Sequence, residues 1–169
     1  MKAKITLVTA VALSLAAALI PAGLAASSMG RWPTVGVQGT SLGRILVNSR
    51  GHTLYLFEKD KRGMSSCYGA CATAWPPLIA SGKPLAKPGI RASLLGRVKR
   101  RDGRWQATYN RHPLYTFVQD GRKGQTSGEG VDAFGAEWYA VSPAGAKIEQ
   151  SEGSRGDDPS SGGYGGYGY

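Results

Sequence analysis

Alternating apolar and polar positions mark a series of short strands through the middle of the chain. Arg44–Asn48 and His52–Phe57 are two such runs, and Ser49-Arg50-Gly51 between them predicts a strand–turn–strand unit. A second unit is predicted from Gly96–Arg100, a turn at Arg101-Asp102-Gly103, and Trp105–Tyr109. Asp-Gly is a strong hairpin signal because glycine takes positive φ without steric cost. A tight Asn110-Arg111 bend then leads into His112–Val118, and Trp138–Val141 predicts a closing strand. Along a strand, Tyr55 and Phe57 share one face while Leu54 and Leu56 share the other. In the second unit Tyr115 and Phe117 lie opposite Leu114, Thr116 and Val118, so both faces are apolar and the sheet is expected to be buried on both sides. The best helix candidate is short, around Ser66–Ala74. The expected fold class is mostly β: a single small domain of two pseudo-repeated antiparallel units with one or two helical turns.

The two units repeat in residue identity as well as in pattern. His52-Thr53-Leu54-Tyr55-Leu56-Phe57-Glu58-Lys59-Asp60 aligns without gaps on His112-Pro113-Leu114-Tyr115-Thr116-Phe117-Val118-Gln119-Asp120, with His, Leu, Tyr, Phe and Asp in common. Each copy is followed by a basic, glycine-containing turn, Lys61-Arg62-Gly63 or Gly121-Arg122-Lys123-Gly124. Each then reaches a tryptophan, Trp75 or Trp138. Self-similarity of this kind marks supersecondary units that complete one another's core. The tyrosines and phenylalanines are therefore read as core, and each aspartate as an acceptor for backbone N–H groups of its turn or a partner for a nearby arginine. Thr126–Asp132 supplies several oxygens, but not with the spacing of a known calcium loop.

The ends of the chain read differently. Lys2 and Lys4 precede an uncharged apolar run, Ile5–Ile20, and Pro21 and Gly23-Leu24-Ala25 follow it, which predicts a cleaved export signal over residues 1–25. A run of sixteen residues is short for a hydrocarbon layer of about 30 Å. No cysteine near the cut suggests a lipid anchor, and no later stretch is long and apolar enough to be read as a span. The expected organisation is a linker over 26–33 and a two-repeat domain over 34–149, its repeats at about 42–80 and 94–145. A Gly/Ser/Tyr-rich tail over 150–169, too poor in apolar residues to repay ordering, is expected to be disordered. The expected compartment is secreted or periplasmic.

Charge sharpens this picture. The 169 residues carry 21 Lys and Arg against 11 Asp and Glu, a formal net charge of +10, and removing the signal takes away two lysines and leaves +8. Lys83–Arg104 concentrates eight basic residues around the single acid Asp102. Within it Arg97, Lys99, Arg100, Arg101 and Arg104 are the candidate contact surface for an anionic envelope polymer or lipid headgroups, with no specific nucleic-acid signature. Oligomeric state is not legible.

Cys67 and Cys71 are the two cysteines. In an oxidising compartment a disulfide is the default. On a regular helix, residues four apart place Cβ atoms about 5–6 Å from each other, beyond the about 3.5–4.5 Å that a disulfide needs, but Gly69 between them can deform the turn. The alternative is a copper-handling or thiol-redox site, with Met64, Cys67, Cys71 and His52 or His112 as soft ligands for Cu(I). Catalysis finds no support: His52 and His112 occupy equivalent repeat positions, and no phosphate loop, serine elbow or paired metal-binding histidines occur. No residue is therefore assigned a catalytic role.

Tyr55/Phe57/Asp60 and Tyr115/Phe117/Asp120 each spell Tyr-x-Phe-x-x-Asp. With them stand Cys67-Tyr68-Gly69-Ala70-Cys71-Ala72 running into Trp75-Pro76-Pro77-Leu78, Asn110-Arg111-His112-Pro113-Leu114-Tyr115, and Phe134-Gly135-Ala136-Glu137-Trp138-Tyr139. From about Leu42 to Gly145 the chain resembles the bacterial family of predicted lipoproteins and secreted repeats bearing the Yx(F/W/Y)xxD motif. The resemblance implies an exported protein with no established active site. The lipidated cysteine of anchored relatives is missing here. The function expected from all of this is a non-enzymatic, envelope-associated binding or structural role.

Overall fold

The computed structural model describes residues 32–61 and 63–149. The predicted signal segment, residues 26–31 of the linker and the tail from 150 onward lie outside them.

Nine strands, one short helix and one 3₁₀ turn make up the described chain: β1 (Thr34–Thr40), β2 (Gly43–Asn48), β3 (Tyr55–Phe57), α1 (Ala70–Ala74), β4 (Leu85–Ala86), the 3₁₀ turn Ala92–Leu94, β5 (Leu95–Lys99), β6 (Trp105–Tyr109), β7 (His112–Pro113), β8 (Val131–Ala133) and β9 (Ala136–Ala140). They form three small sheets, ordered β2-β1-β4, β3-β9-β8 and β5-β6-β7. The fold is mostly β, as the alternation predicts. The Asn110-Arg111 bend joins β6 to β7 with Tyr109 paired to His112, both bend residues at positive φ (46° and 68°). The Asp102-Gly103 turn closes the β5–β6 hairpin.

The repeats exchange strands. Repeat 1 supplies β3, which pairs with β9 of repeat 2 so that Tyr55 faces Ala140 and Phe57 faces Trp138. The segment around Tyr115 and Phe117 returns the arrangement on repeat 1: Leu78 N–H donates to the Leu114 carbonyl, Thr116 N–H to Pro76, and Val118 N–H to Ala74. At the crossing point Tyr55 and Tyr115 exchange both backbone hydrogen bonds, at 2.9 and 3.0 Å. Equivalent contacts thus occur in pairs, and the domain has an approximate internal two-fold.

Two cores lie on opposite sides of this crossing. One gathers Tyr55, Phe57, Trp75, Tyr115, Phe117 and Trp138 with Ile45, Val47 and the cysteines. The other gathers Leu54, Leu56, Leu114, Leu46, Tyr109 and Val35. The period-2 division of Tyr/Phe from Leu therefore separates two apolar clusters. In the first, Phe57, Trp138, Trp75 and Phe117 form a continuous stack, each ring about 4.0 Å from the next. Tyr55 meets Trp75 edge-on at 5.3 Å, and Tyr115 meets Trp138 edge-on at 5.1 Å. Offset and edge-on contacts suit the ring quadrupoles and add to the burial of large apolar areas. The strand expected over His112–Val118 is regular only at His112–Pro113. Val118, expected on a buried face, is 57 % exposed because the chain turns there, with the Asp120 N–H donating to the Phe117 carbonyl.

The helix is shorter than expected. It begins at Ala70 because Gly69, at φ 57°, turns the backbone out of helical conformation. Cys67 therefore precedes the helix, which removes the geometric obstacle to cross-linking: the two Cα atoms are 5.3 Å apart and the disulfide is formed.

Candidate functional site

Both repeated aspartates lie just past their tyrosine strands, and each is claimed by the other repeat. The Tyr55 hydroxyl donates to Asp120 Oδ2 at 2.7 Å, and the Tyr115 hydroxyl donates to Asp60 Oδ2 at 2.7 Å. The remaining carboxylate oxygens organise the loops behind them. Asp60 Oδ1 accepts from the Ser66 N–H and Oγ, both at 2.7 Å, and Asp120 Oδ1 accepts from the Ser127 N–H at 2.9 Å. Burial holds both carboxyls above their usual range, and it drives both tyrosines well above 10.0, reinforced by the aspartate beside each. Turn N–H acceptance is the role the sequence suggests; the crossed tyrosine bond it does not show.

Symmetry is broken next to Asp60. The position equivalent to Ile45 in repeat 2 is Gln106, fully buried, with its Nε2 donating to the Leu114 carbonyl. Gln106 Oε1 accepts from Arg100 at 2.6 Å. The Arg100 guanidinium, with no exposed side-chain surface, also donates to Ser65 Oγ and the Cys67 carbonyl at 2.7 Å each, and reaches Asp102 at 3.3 Å. A buried guanidinium thus fastens the disulfide loop of repeat 1 to the hairpin of repeat 2. Above it Tyr68 is held between Arg100 and Arg101, each guanidinium about 4.3–4.4 Å from the ring centre, and the Tyr68 hydroxyl accepts from the Arg101 N–H.

These contacts build one wall of an open groove of about 350 Å³, lined by Lys59, Lys61, Met64, Ser65, Ser66, Tyr68, Lys99 and Arg101. Four cations stand around it, and among the described residues no acid lines it. Tyr68 and Met64 give the lining its apolar part, the latter 59 % exposed. Lys59 is steadied by the Phe134 carbonyl at 3.0 Å. Such a site suits an anionic group with an apolar portion beside it.

The basic residues picked out in the sequence are dispersed by the structure. Lys99 and Arg101 line the groove. Arg97 lies over the Trp105 ring and bonds the Ser81 carbonyl. Arg104 pairs with Asp102 at 2.8 Å, a contact that holds the Asp102 carboxyl well below its usual range. Arg100 is a correction: it is buried and engaged, so it supports the surface from below and offers nothing to a ligand. Lys59, Lys61 and Tyr68 escape sequence reasoning because they are distant in sequence from the basic run; only folding brings them beside Lys99.

The copper arrangement does not assemble as drawn. The two sulfurs are bonded to each other and buried, and Met64 sits on the open groove. His112 is half-buried near Asp60, its pKa pushed down by burial against the pull of that carboxylate, while His52 stands near Asp120. Among the described residues no three His, Cys, Asp or Glu side chains gather at metal-binding distances.

A family described as a secreted repeat of unknown function matches residues 36–79 and 96–142, once for each repeat. The chain belongs to that family. Its two matched segments are the two halves that exchange strands, so the secreted repeat is a unit completed by its neighbour. No curated protein and no solved structure matches the chain. Among the described residues of this secreted-repeat protein, no helix is long and apolar enough to cross a membrane.

Proposed function

We propose that the protein is a non-enzymatic, envelope-associated binding module that takes an anionic group in the groove between the disulfide loop and the β5–β6 hairpin. One observation carries the reading. Lys59, Lys61, Lys99 and Arg101 surround a groove with no acid in its lining among the described residues, and the wall bearing Tyr68 is clamped by a buried arginine and a disulfide. Fixed walls reduce the ordering cost of binding. Ammonium and guanidinium groups in solvent attract phosphate or carboxylate through screened Coulomb forces, so binding weakens as salt rises. Anionic envelope polymers and phospholipid headgroups offer that chemistry.

The test is retention of the exported protein on isolated envelopes, eluted by a salt gradient, for wild type and for Lys99→Gln/Arg101→Gln. The double variant is expected to elute at clearly lower salt with an unchanged unfolding midpoint. Competition by a soluble polyanion, set beside competition by anionic vesicles, separates polymer from headgroup. Retention that ignores both salt and the double substitution overturns the reading.

A further inference from the structure

The basic, glycine-containing turns after the two aspartates remain to be explained. In the groove above, Lys61 from the turn of repeat 1 meets Lys99 and Arg101 from the hairpin of repeat 2. The same construction occurs on the other half of the molecule. Lys123, from the turn of repeat 2, meets the β1–β2 hairpin of repeat 1 in a second open groove of about 350 Å³, beside Arg50 and Lys87. Gln38, Asn48 and Ser49 add polar side chains, and among the described residues no acid lines it.

Local geometry explains how these cations come together. The Gly124 N–H donates to the Gly51 carbonyl at 2.9 Å, which docks the basic turn on the end of the hairpin. Gly51 sits at φ 86°, and a Cβ there would come within 2.8 Å of the Lys123 side chain. The Lys123 stem therefore lies flat against bare backbone. Lys87 does the same over Gly36, where a Cβ would meet its Cδ at 3.3 Å. Both stems thus pack against backbone that has no Cβ, and both residues line the groove.

We infer that the Arg50–Lys87–Lys123 groove is a second anion site, for phosphate-class oligoanions, and that one chain is a bivalent binder. The strand exchange makes both sites, since each needs the turn of one repeat and the hairpin of the other. Two sites on one rigid body give a repeating polyanion an intramolecular second contact, and let one protein bridge two strands of polymer. This second groove is more polar than the first, lacking a counterpart of Tyr68 and Met64, so it suits a bare oligoanion. The inference extends the reading above to a new site.

The experiment is calorimetric titration of the full exported chain with sodium tripolyphosphate at low salt, with backbone amide shifts followed in parallel. Wild type is expected to bind two equivalents, with shifts at Gly36–Gln38 and Asn48–Gly51 as well as around Ser65–Tyr68. Lys87→Gln/Lys123→Gln is expected to bind one and to lose the first set of shifts alone. Lys99→Gln/Arg101→Gln is expected to bind one and to lose the second set alone. Long-chain polyphosphate should become turbid with wild type and stay clear with either variant. One equivalent in wild type, abolished by Lys99→Gln/Arg101→Gln, overturns the second site and leaves the first standing. One equivalent abolished only by Lys87→Gln/Lys123→Gln does the reverse. Absence of any saturable binding overturns both.

Discussion

The ring of Trp75 lies flat on that of Trp138, 4.0 Å between centroids and 4° from parallel, and each tryptophan comes from a different repeat. Phe57 covers the outer face of Trp138, and Phe117 covers the outer face of Trp75. Every ring in the stack therefore has a partner from the other repeat. Removing Trp138 takes away a fully buried side chain and uncovers both Phe57 and Trp75. Trp138→Ala should cost about 3–5 kcal/mol of stability, and Trp75→Ala nearly the same because the stack is close to symmetric. Urea unfolding followed by circular dichroism measures both; a large difference between them would mean that the halves do not share the core equally.

The crossed hydrogen bonds give a sharper test of strand exchange. Tyr55→Phe removes the donor to Asp120, a partly desolvated carboxylate, and should cost about 1–3 kcal/mol. Double-mutant cycles read the partnership directly. Tyr55→Phe with Asp120→Asn, and Tyr115→Phe with Asp60→Asn, should show coupling of about 0.5–3 kcal/mol. The pairings within one repeat, Tyr55 with Asp60 and Tyr115 with Asp120, should couple more weakly. Coupling inside the repeats and none across them would contradict the exchanged architecture.

Neither repeat should fold alone. A fragment over residues 34–86 contains β3 without β9, and leaves Phe57 and Trp75 without their stacking partners. A fragment over residues 87–149 leaves Phe117 and Trp138 in the same position. Each is expected to show no cooperative unfolding, and their mixture to regain a cooperative transition. Cooperative melting of an isolated fragment, recorded by calorimetry, would show that a repeat owns a complete core.

Repeat identity, the positions of β2, β5, β6 and β9 and the division of Tyr/Phe from Leu were legible because alternation and self-similarity are local properties. Strand partners were not: two copies of the same pattern allow β3 to pair with the tryptophan strand of either repeat, and only packing decides between them. β1 escaped notice because Gly36 and Gly39 interrupt the alternation of Val35 and Val37. The burial of Arg100 is the instructive miss. It sits in a run with Lys99 and Arg101 that reads as a solvated stripe, yet continuing the β5 alternation puts it on the half-buried face of Gly96 and Val98. Its partner Gln106 replaces a buried isoleucine of the first repeat, and that break in the repeat was the available signal.

Alkaline pH should unfold the protein through its two buried tyrosines. Both phenols are raised far above 10.0, first by burial and then by the carboxylate each one touches. An unfolded chain loses these protons near pH 10, whereas the folded chain keeps them. Their contribution is therefore complete below pH 10 and declines as pH climbs beyond it, by up to two protons' worth of slope. Stability measured in urea between pH 9 and 12 should fall accordingly. Tyr55→Phe and Tyr115→Phe should each start lower and decline less steeply, because one ionising phenol has gone from the unfolded state; equal slopes in wild type and variants would refute the assignment.

Arg100 makes the last prediction, because its surroundings separate structure from surface charge. Replacing it by Gln leaves the buried Cys67 carbonyl and Gln106 side chain, and Ser65 at the groove edge, short of a donor. A loss of about 3 kcal/mol is expected. Arg100→Lys should recover little, since a single ammonium cannot reach in a fork the acceptors that the guanidinium spans. Exposed Lys99 carries the same charge next door, and Lys99→Gln should leave the unfolding midpoint unchanged while lowering the salt at which the protein leaves envelopes. The two neighbours should thus give opposite signatures in the same pair of measurements. Should Arg100→Gln melt like wild type, the buried clamp is not what holds the Tyr68 wall in place.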